Sequence, residues 1–298
     1  MIVKLSENNF KEFKNYALKH KKEHDESYLY DEDFDQFSID ENNPTNLLFS
    51  GEDEVGVISL IQDDYQLRGK STRVRIFHCE SGKLEDYKNL LESVMPINNI
   101  VERLTMFVPT NNLEIRSILE SLGMFVERYS YVLERVGKEP LDFSLPNDYE
   151  LTDYRYGIDE EDYLKVRNIA FSTLKGSQTP QTVEHALKMN NSENVLTGGI
   201  KILRYNGEPV GVIRMEHEIE EGRDYSFVAP IAILPNHQGK GLGSCLIRAG
   251  IKVGCDNGYW DCMLSVNGEN ENAIKLYLKE GFEKTFEVVC YNLIIDKG

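Results

Sequence analysis

Between Ile231 and Gly254 the chain places an apolar strand, a glycine-rich turn and a helix in immediate succession. The turn reads Gln238-Gly239-Lys240-Gly241-Leu242-Gly243-Ser244, and helical pattern follows over Cys245–Gly254. Glycines let a backbone come close to a ligand and allow positive φ. The first N–H groups of a helix lack internal partners and carry the positive end of its dipole. Such a strand, turn and helix start form an anion cradle, suited above all to phosphates. Lys240 and Arg248 add positive charge. Two phosphate-loop patterns are excluded. Lys240 is followed by Gly241, so GxxxxGK[ST] fails, and neither Gly239 nor Gly241 starts a GxGxxG. A tight turn with no ligand stays open on this loop alone.

A second chemistry-bearing segment is Asn270–Phe282, NENAIKLYLKEGF, an amphipathic helix ending at Gly281. The two segments together resemble the GNAT (Gcn5-related) N-acetyltransferases. Gln238–Gly243 resembles that family's Q/R-x-x-G-x-G/A loop. Asn270, Ala273, Ile274, Leu276, Tyr277, Gly281 and Phe282 match its N-x-x-A-I-x-L-Y-x-x-x-G-F motif. The resemblance is specific over about 224–295 and weaker over 148–223. It implies acetyl-CoA as cofactor. Backbone groups of Ile231, Ala232 and Ile233 would pair with the pantetheine arm like an added strand. The N–H groups of Gly239, Lys240, Gly241, Leu242, Gly243 and Ser244, behind Gln238, would hold the pyrophosphate. Asn270 would hydrogen-bond the cofactor, although an Asn there also serves as a helix N-cap. Tyr277 would protonate the departing thiolate, since a phenol and a thiol have similar pKa values. Packing on the core is the alternative reading of Tyr277. The Ile231 amide would stabilise the oxyanion. Pro230 just before it cannot donate a ladder bond, so a bulge is expected there. The family pattern has a Glu six residues before the position of Ile233, where this chain has Phe227. Glu216, His217, Glu218, Glu220, Glu221 and Asp224 stand nearby, and the base is unassigned. Cys245 and Cys255 flank or lie in the helix, but no paired His supports covalent catalysis.

These residues need a scaffold, and the chain carries its pattern twice. Leu104–Pro109, Asn111–Met124 and Tyr129–Leu133 repeat the order of Cys262–Val266, Asn270–Phe282 and Val288–Ile295: strand, short helix, glycine, strand. Asn112 precedes Gly123, and Asn270 precedes Gly281, by eleven positions. A single repeat this long means a duplicated domain. Phe10–His20 and Glu161–Leu174 have helical periodicity, and strands follow in each half. Gly51-Glu52 and Asn206-Gly207 read as hairpin turns. Val136–Asp148, with Gly137, Pro140 and Pro146, reads as a linker. The fold class is therefore α/β (α+β): two GNAT-like domains, each with a mixed, largely antiparallel central sheet flanked by helices. The domains are 1–135, a linker 136–147, and a catalytic domain 148–298. This resembles the tandem arrangement of which mycothiol synthases are an example. In the first half Glu80–Tyr87 lacks the glycine loop, Glu80, Glu85 and Asp86 would repel a pyrophosphate, and Leu119 holds the position of Tyr277. That half reads as a degenerate, non-catalytic copy.

Composition narrows the rest. Thirty-three Lys and Arg against 50 Asp and Glu give a net charge of −17. That argues against nucleic acid, which needs a basic face, and against an anionic membrane. No stretch approaches the roughly 20 apolar residues of a membrane span. Met1–Glu7 alternates like a strand and lacks the features of a signal peptide. Five cysteines without a CxxC pair, and scattered histidines, point to reduced thiols in a cytoplasm and to no metal. The reading is an N-acetyltransferase moving acetyl from acetyl-CoA directly to a primary amine of a small molecule or peptide, with a lean towards a cationic acceptor. The alternatives are a non-catalytic CoA-binding regulatory module and a transferase of a longer acyl group. Acceptor-side residues are expected around Ala170–Leu187, and the chain is expected to be a monomer or homodimer.

Overall fold

The computed structural model describes residues 1–20, 34, 37–95, 99–220 and 222–295. The chain divides into two compact units, Met1–Ser130 with Glu287–Gly298, and Tyr131–Phe286.

In the first unit the elements are β1 (Ile2–Lys4), α1 (Phe10–Lys19), β2 (Thr45–Ser50), β3 (Asp53–Ile61), α2 (Asp64–Arg68), β4 (Ser71–Cys79), α3 (Leu84–Ser93), β5 (Arg103–Pro109) and α4 (Leu113–Ser121). Two strands, β6 (Phe125–Arg135) and β12 (Glu283–Ile294), run across the division between the units. Neighbouring strands in the first unit follow the order β1-β2-β3-β4-β5-β12. The pairs β1–β2, β2–β3, β3–β4 and β5–β12 are antiparallel, and β4–β5 is parallel. Period-two alternation sends Val57 to the face covered by Phe13 and Tyr16 of α1, and Ile58 to the face covered by Leu90 and Leu119 of α3 and α4.

The second unit holds β7 (Tyr149–Asp153), α5 (Glu160–Phe171), α6 (Val183–Asn190), β8 (Val195–Tyr205), β9 (Glu208–Glu220), β10 (Arg223–Ile233), α7 (Leu242–Asp256), β11 (Cys262–Asn267) and α8 (Glu271–Lys279). Its order is β6-β11-β10-β9-β8-β7. The pair β10–β11 is parallel and β7–β8–β9–β10 is antiparallel. Val212 packs with Tyr163, Val166 and Ala186 on one face, and Ile213 and Met215 pack with Leu246 and Ile247 of α7 on the other. Asn206 and Gly207 form the expected two-residue turn with φ of 50° and 83°. The expected mixed, largely antiparallel sheet flanked by helices is thus present in each unit.

The expected domain boundaries are corrected at both ends. Residues 287–298 fall in the first unit rather than with 148–286. The cause is burial and pairing: β12 pairs with β5 from Val288↔Pro109 to Ile294↔Arg103, and Val289 and Tyr291 fill the first unit's core. In turn Leu133 of β6 sits in the second unit's core. The expected linker contains neither helix nor strand until β7. It is pinned by Arg135, which donates to the carbonyls of Lys138, Glu139 and Glu280 at 2.8, 2.5 and 3.0 Å.

Candidate active site

Strand β10 starts between two partners and ends with one. Its pairing with β11 runs Ser226↔Cys262, Phe227↔Met263 and Val228↔Leu264, and stops. Against β9 the pairing continues to Ile233↔Gly211, but it skips from Val228↔Met215 to Ile231↔Ile213. The bulge expected from Pro230 is therefore there. Beyond it, Ile231, Ala232 and Ile233 have no β11 partner. Their edge is open except at Ile233, whose carbonyl accepts from the Gln238 side chain at 2.9 Å. Gln238 therefore ties the loop to the strand end.

The strand leads through a 3-10 turn, Pro235–His237, into the glycine loop. Gly239 and Gly241 have φ of 75° and 79°, and a Cβ on either would meet nothing within 4 Å. The sequence left open a tight turn without a ligand; both glycines face free space, as a cradle requires. Gly241 is the N-cap of α7 and supplies no side-chain acceptor, so the first amides of the helix, from Leu242, Gly243 and Ser244, are uncapped. Gly243 has a different duty from the other two. A Cβ there would come within 2.9 Å of the Leu276 side chain, so this glycine sets the approach of α8. Lys240 donates to the Tyr149 hydroxyl at 3.3 Å, and the same hydroxyl meets His237 Nδ1 at 2.8 Å. Beside the first turn of α7 lies a cavity of about 370 Å³, lined by Asp142, Phe143, Ser144, Ser244, Cys245 and Arg248. Burial pushes the Cys245 thiol up, which makes it a poor nucleophile.

Tyr277 is 6% exposed and packs in the same apolar cluster as Leu242 and Ile231. It meets the Phe282 ring edge-on at 5.9 Å. Burial holds its hydroxyl well above the ordinary phenol range, so it keeps its proton. Asn270 is the N-cap of α8 and its Oδ1 accepts from the Ala273 N–H at 3.2 Å. The capping alternative is realised at that oxygen. Asn112 caps α4 in the same way.

The carboxylates near Phe227 separate into two groups. His217 Nε2 and Asp224 Oδ1 pair at 2.6 Å on the hairpin, and His217 stacks on Tyr259. Glu221 lies outside the described residues. Glu216 stands directly across from Phe227, in an ion pair of 2.9 Å with Arg214. Sequence reasoning missed Arg214, Asn190 and Tyr163 around it. The legible hint was an Arg inside the apolar run Val212–Met215. Among the described residues no cluster of three or more His, Cys, Asp or Glu is arranged to hold a metal, and no helix is long and apolar enough to cross a membrane.

The corresponding place in the first unit differs. Pairing of β4 with β5 also ends early, at Arg73↔Thr105. The following loop is filled by its own groups. Ser81 bonds Asp86 and accepts from the Lys83 N–H, and Glu80 pairs with Lys19 and His20. The Glu114 carboxylate lies 2.8 Å from where a Cβ of Gly82 would be. Leu119 is fully buried.

Two units of this build define a tandem GNAT fold. Residues 163–282 match the Acetyltransferase (GNAT) family. A GCN5-related N-acetyltransferase from Sphaerobacter thermophilus superimposes with a TM-score of 0.73 and 15% identity, over 100% of this chain and 96% of that one. A tandem GNAT protein from the clavulanic acid biosynthesis pathway does so with a TM-score of 0.66 and 13% identity, over 100% and 99%. At such identity the likeness is one of fold. In sequence, the chain is 32% identical over 154 residues to a mycothiol acetyltransferase of Paenarthrobacter aurescens (strain TC1), covering 50% of this chain and 47% of that protein. It is 27% identical over 183 residues to that of Acidimicrobium ferrooxidans (strain DSM 10331 / JCM 15462 / NBRC 103882 / ICP), covering 59% and 57%. The chain spans about half the length of the curated relatives it matches.

Proposed function

We propose that the protein is an acetyl-CoA-dependent N-acetyltransferase that passes an acetyl group directly to a primary amine, with its one cofactor site in the second unit. The observation that carries this reading is the continuity of three features. The open edge of β10 beyond Val228 runs into two left-handed glycines with free space beside them, and these run into the uncapped start of α7. That series fits a long ligand with an amide-bearing arm and a pyrophosphate. Backbone groups of Ile231 and Ala232, with what Ile233 has left, would take the arm. The amides from Gly239 to Ser244 would take the phosphates, and the Asn270 side-chain amide would complete the hold. Bound acetyl-CoA would supply an activated thioester. The Ile231 amide would stabilise negative charge on its carbonyl oxygen. Tyr277 holds a proton on its hydroxyl, and the apolar cluster around it excludes water.

The first unit serves as a non-catalytic copy. The Glu114 carboxylate beside Gly82 and the buried Leu119 support this. The acceptor is a small-molecule amine; the name of the relatives supports a small molecule, and the charge of −17 a cationic one. Amine-dependent release of CoA is the test. We expect Tyr277→Phe to lower kcat by about a hundredfold to ten thousandfold while acetyl-CoA still binds. CoA release that ignores the amine, or a Tyr277→Phe enzyme as fast as wild type, would overturn the reading.

A further inference from the structure

Strand β9 is flanked at one place by bulges in both of its neighbours, and Glu216 stands beside them. On the β10 side the pairing skips between Met215↔Val228 and Ile213↔Ile231. On the β8 side it skips between Glu216↔Val195 and Arg214↔Ile200. Gly199 lies in the second bulge, and a Cβ on it would meet the carbonyls of Leu196 and Met215 at 2.7 Å. Bulges re-aim side chains and gather beside active sites. The β10 bulge also marks where β10 parts from β11.

Side chains on β9 alternate between faces. Val212, Arg214 and Glu216 point to the α5–α6 face, while Ile213 and Met215 join the cluster that contains Tyr277. Glu216 and Tyr277 therefore stand on opposite faces of the sheet, and Glu216 lies across from Phe227, one residue before the last pair that joins β10 to β11.

Glu216 Oε1 is fixed by Arg214 Nη2 at 2.9 Å, and Arg214 Nη1 donates to Asn190 Oδ1 at 3.1 Å. Among the described residues nothing bonds Oε2, and the Glu216 side chain is 16% exposed. Across the strands stand apolar Val195 and Phe227. Tyr163 and Arg167 approach from α5 and Asn190 from the end of α6, while His217 faces away and is tied to Asp224. Burial raises the Glu216 carboxyl above the ordinary range, and the Arg214 charge does not cancel it. Three buried polar atoms in this layer have no hydrogen-bond partner among the described residues: Tyr163 Oη, Arg214 Nε and Asn190 Nδ2.

We propose that Glu216 is the base of the transfer, receiving the proton of an acceptor ammonium that enters from the α5–α6 face, an assignment that rests on the transferase reading above. The proton moves from the ammonium nitrogen to Oε2. The freed lone pair forms the C–N bond as the C–S bond of the acetyl thioester breaks, and the thiolate takes the Tyr277 proton. The second nitrogen proton returns to Tyr277, and Glu216 gives its own to solvent, so each turnover releases one proton. Arg214 acts as a positioning residue.

The test compares full-length wild type, Glu216→Gln and Glu216→Asp. The probes are acetyl-CoA with spermidine, an aminoglycoside, an amino sugar and a tripeptide with a free amino terminus. Glu216→Gln should bind acetyl-CoA like wild type and lose about a hundredfold to ten thousandfold in kcat/KM at neutral pH. Its rate should then simply follow the free-amine fraction as pH rises, while Glu216→Asp keeps the wild-type acidic limb. A Gln variant within about threefold of wild type, with an unchanged pH profile, would overturn the assignment. So would loss of acetyl-CoA binding in both variants, which marks a structural role. If wild type releases no CoA with any amine, the transferase reading itself falls and this assignment with it.

Discussion

The Tyr277 side chain and the carboxylate oxygens of Glu54 are both covered, and burial serves one and burdens the other. For the phenol, a raised pKa keeps the proton in place, as the proposed donation to a thiolate requires. For Glu54, burial and the nearby Glu12 and Glu80 charges push the carboxyl up to about 8, and neither of its oxygens has a partner among the described residues. A carboxyl raised in the folded state costs stability as pH climbs from its unfolded value of 4.5 towards 8. Glu54→Gln should therefore be more stable than wild type at pH 8, with the difference shrinking to nothing near pH 4.5. Urea unfolding across that range measures it, and a gap that does not change with pH would contradict it. Glu280 is a different buried acid. Its side chain is fully covered and pairs with Arg248 at 2.6 Å. Glu280→Ala should cost about 3 kcal/mol, the low end for a broken buried pair, because Arg248 keeps some contact with water. Chemical denaturation at pH 7 checks this. Tyr277 was legible because its neighbours Leu276 and Gly281 form a motif. Glu280 was not, since its partner is remote in sequence and a Lys-Glu-Gly stretch reads as a solvated helix end.

At the scale of elements, α7 is as much a packing device as a cradle. A Cβ on Gly250 would come within 2.6 Å of Ile213 and 2.7 Å of Met215, and one on Gly254 within 2.5 Å of Ser226. The helix lies close on β9 and β10 because these positions have no side chain. Gly250→Val should destabilise by about 1–3 kcal/mol through overpacking and lower the melting temperature by several degrees. Differential scanning calorimetry reads this, and an unchanged melting temperature would contradict it. The periodic helices α1 and α5 were legible, and so was the turn at Asn206 and Gly207 that joins β8 to β9. The start of β8 at Val195 was not legible, because Gly198 and Gly199 in its bulge disguise it. The short α6 was missed since only Val183, Ala186, Leu187 and Met189 break its polar face, and β7 since it follows Pro146 and Asp148 directly. Local pattern carries propensity, whereas these elements exist through contacts distant in sequence.

For the whole chain, the repeat was legible but the exchange of last strands was not. Strand pairing depends on three-dimensional partners, and β12 reads from sequence as the natural end of the second half. Its Val289 and Tyr291 instead fill the first unit, where Tyr291 accepts from Arg116 and donates to Glu120. Separate fragments 1–135 and 148–298 should accordingly fail to fold as stable domains, since one lacks β12 and the other lacks Leu133 and Arg135. Circular dichroism and limited proteolysis check this, and two protected, cooperatively melting fragments would contradict it. The duplication leaves one intact glycine loop, so the account requires one cofactor site for two units. Calorimetric titration of the full-length chain with acetyl-CoA tests that claim most directly. The predicted result is one site per chain, retained in Tyr277→Phe and abolished in Gly241→Val, where a β-branched residue would have to take a φ of 79°. Two sites per chain, or a site that survives Gly241→Val, would contradict it.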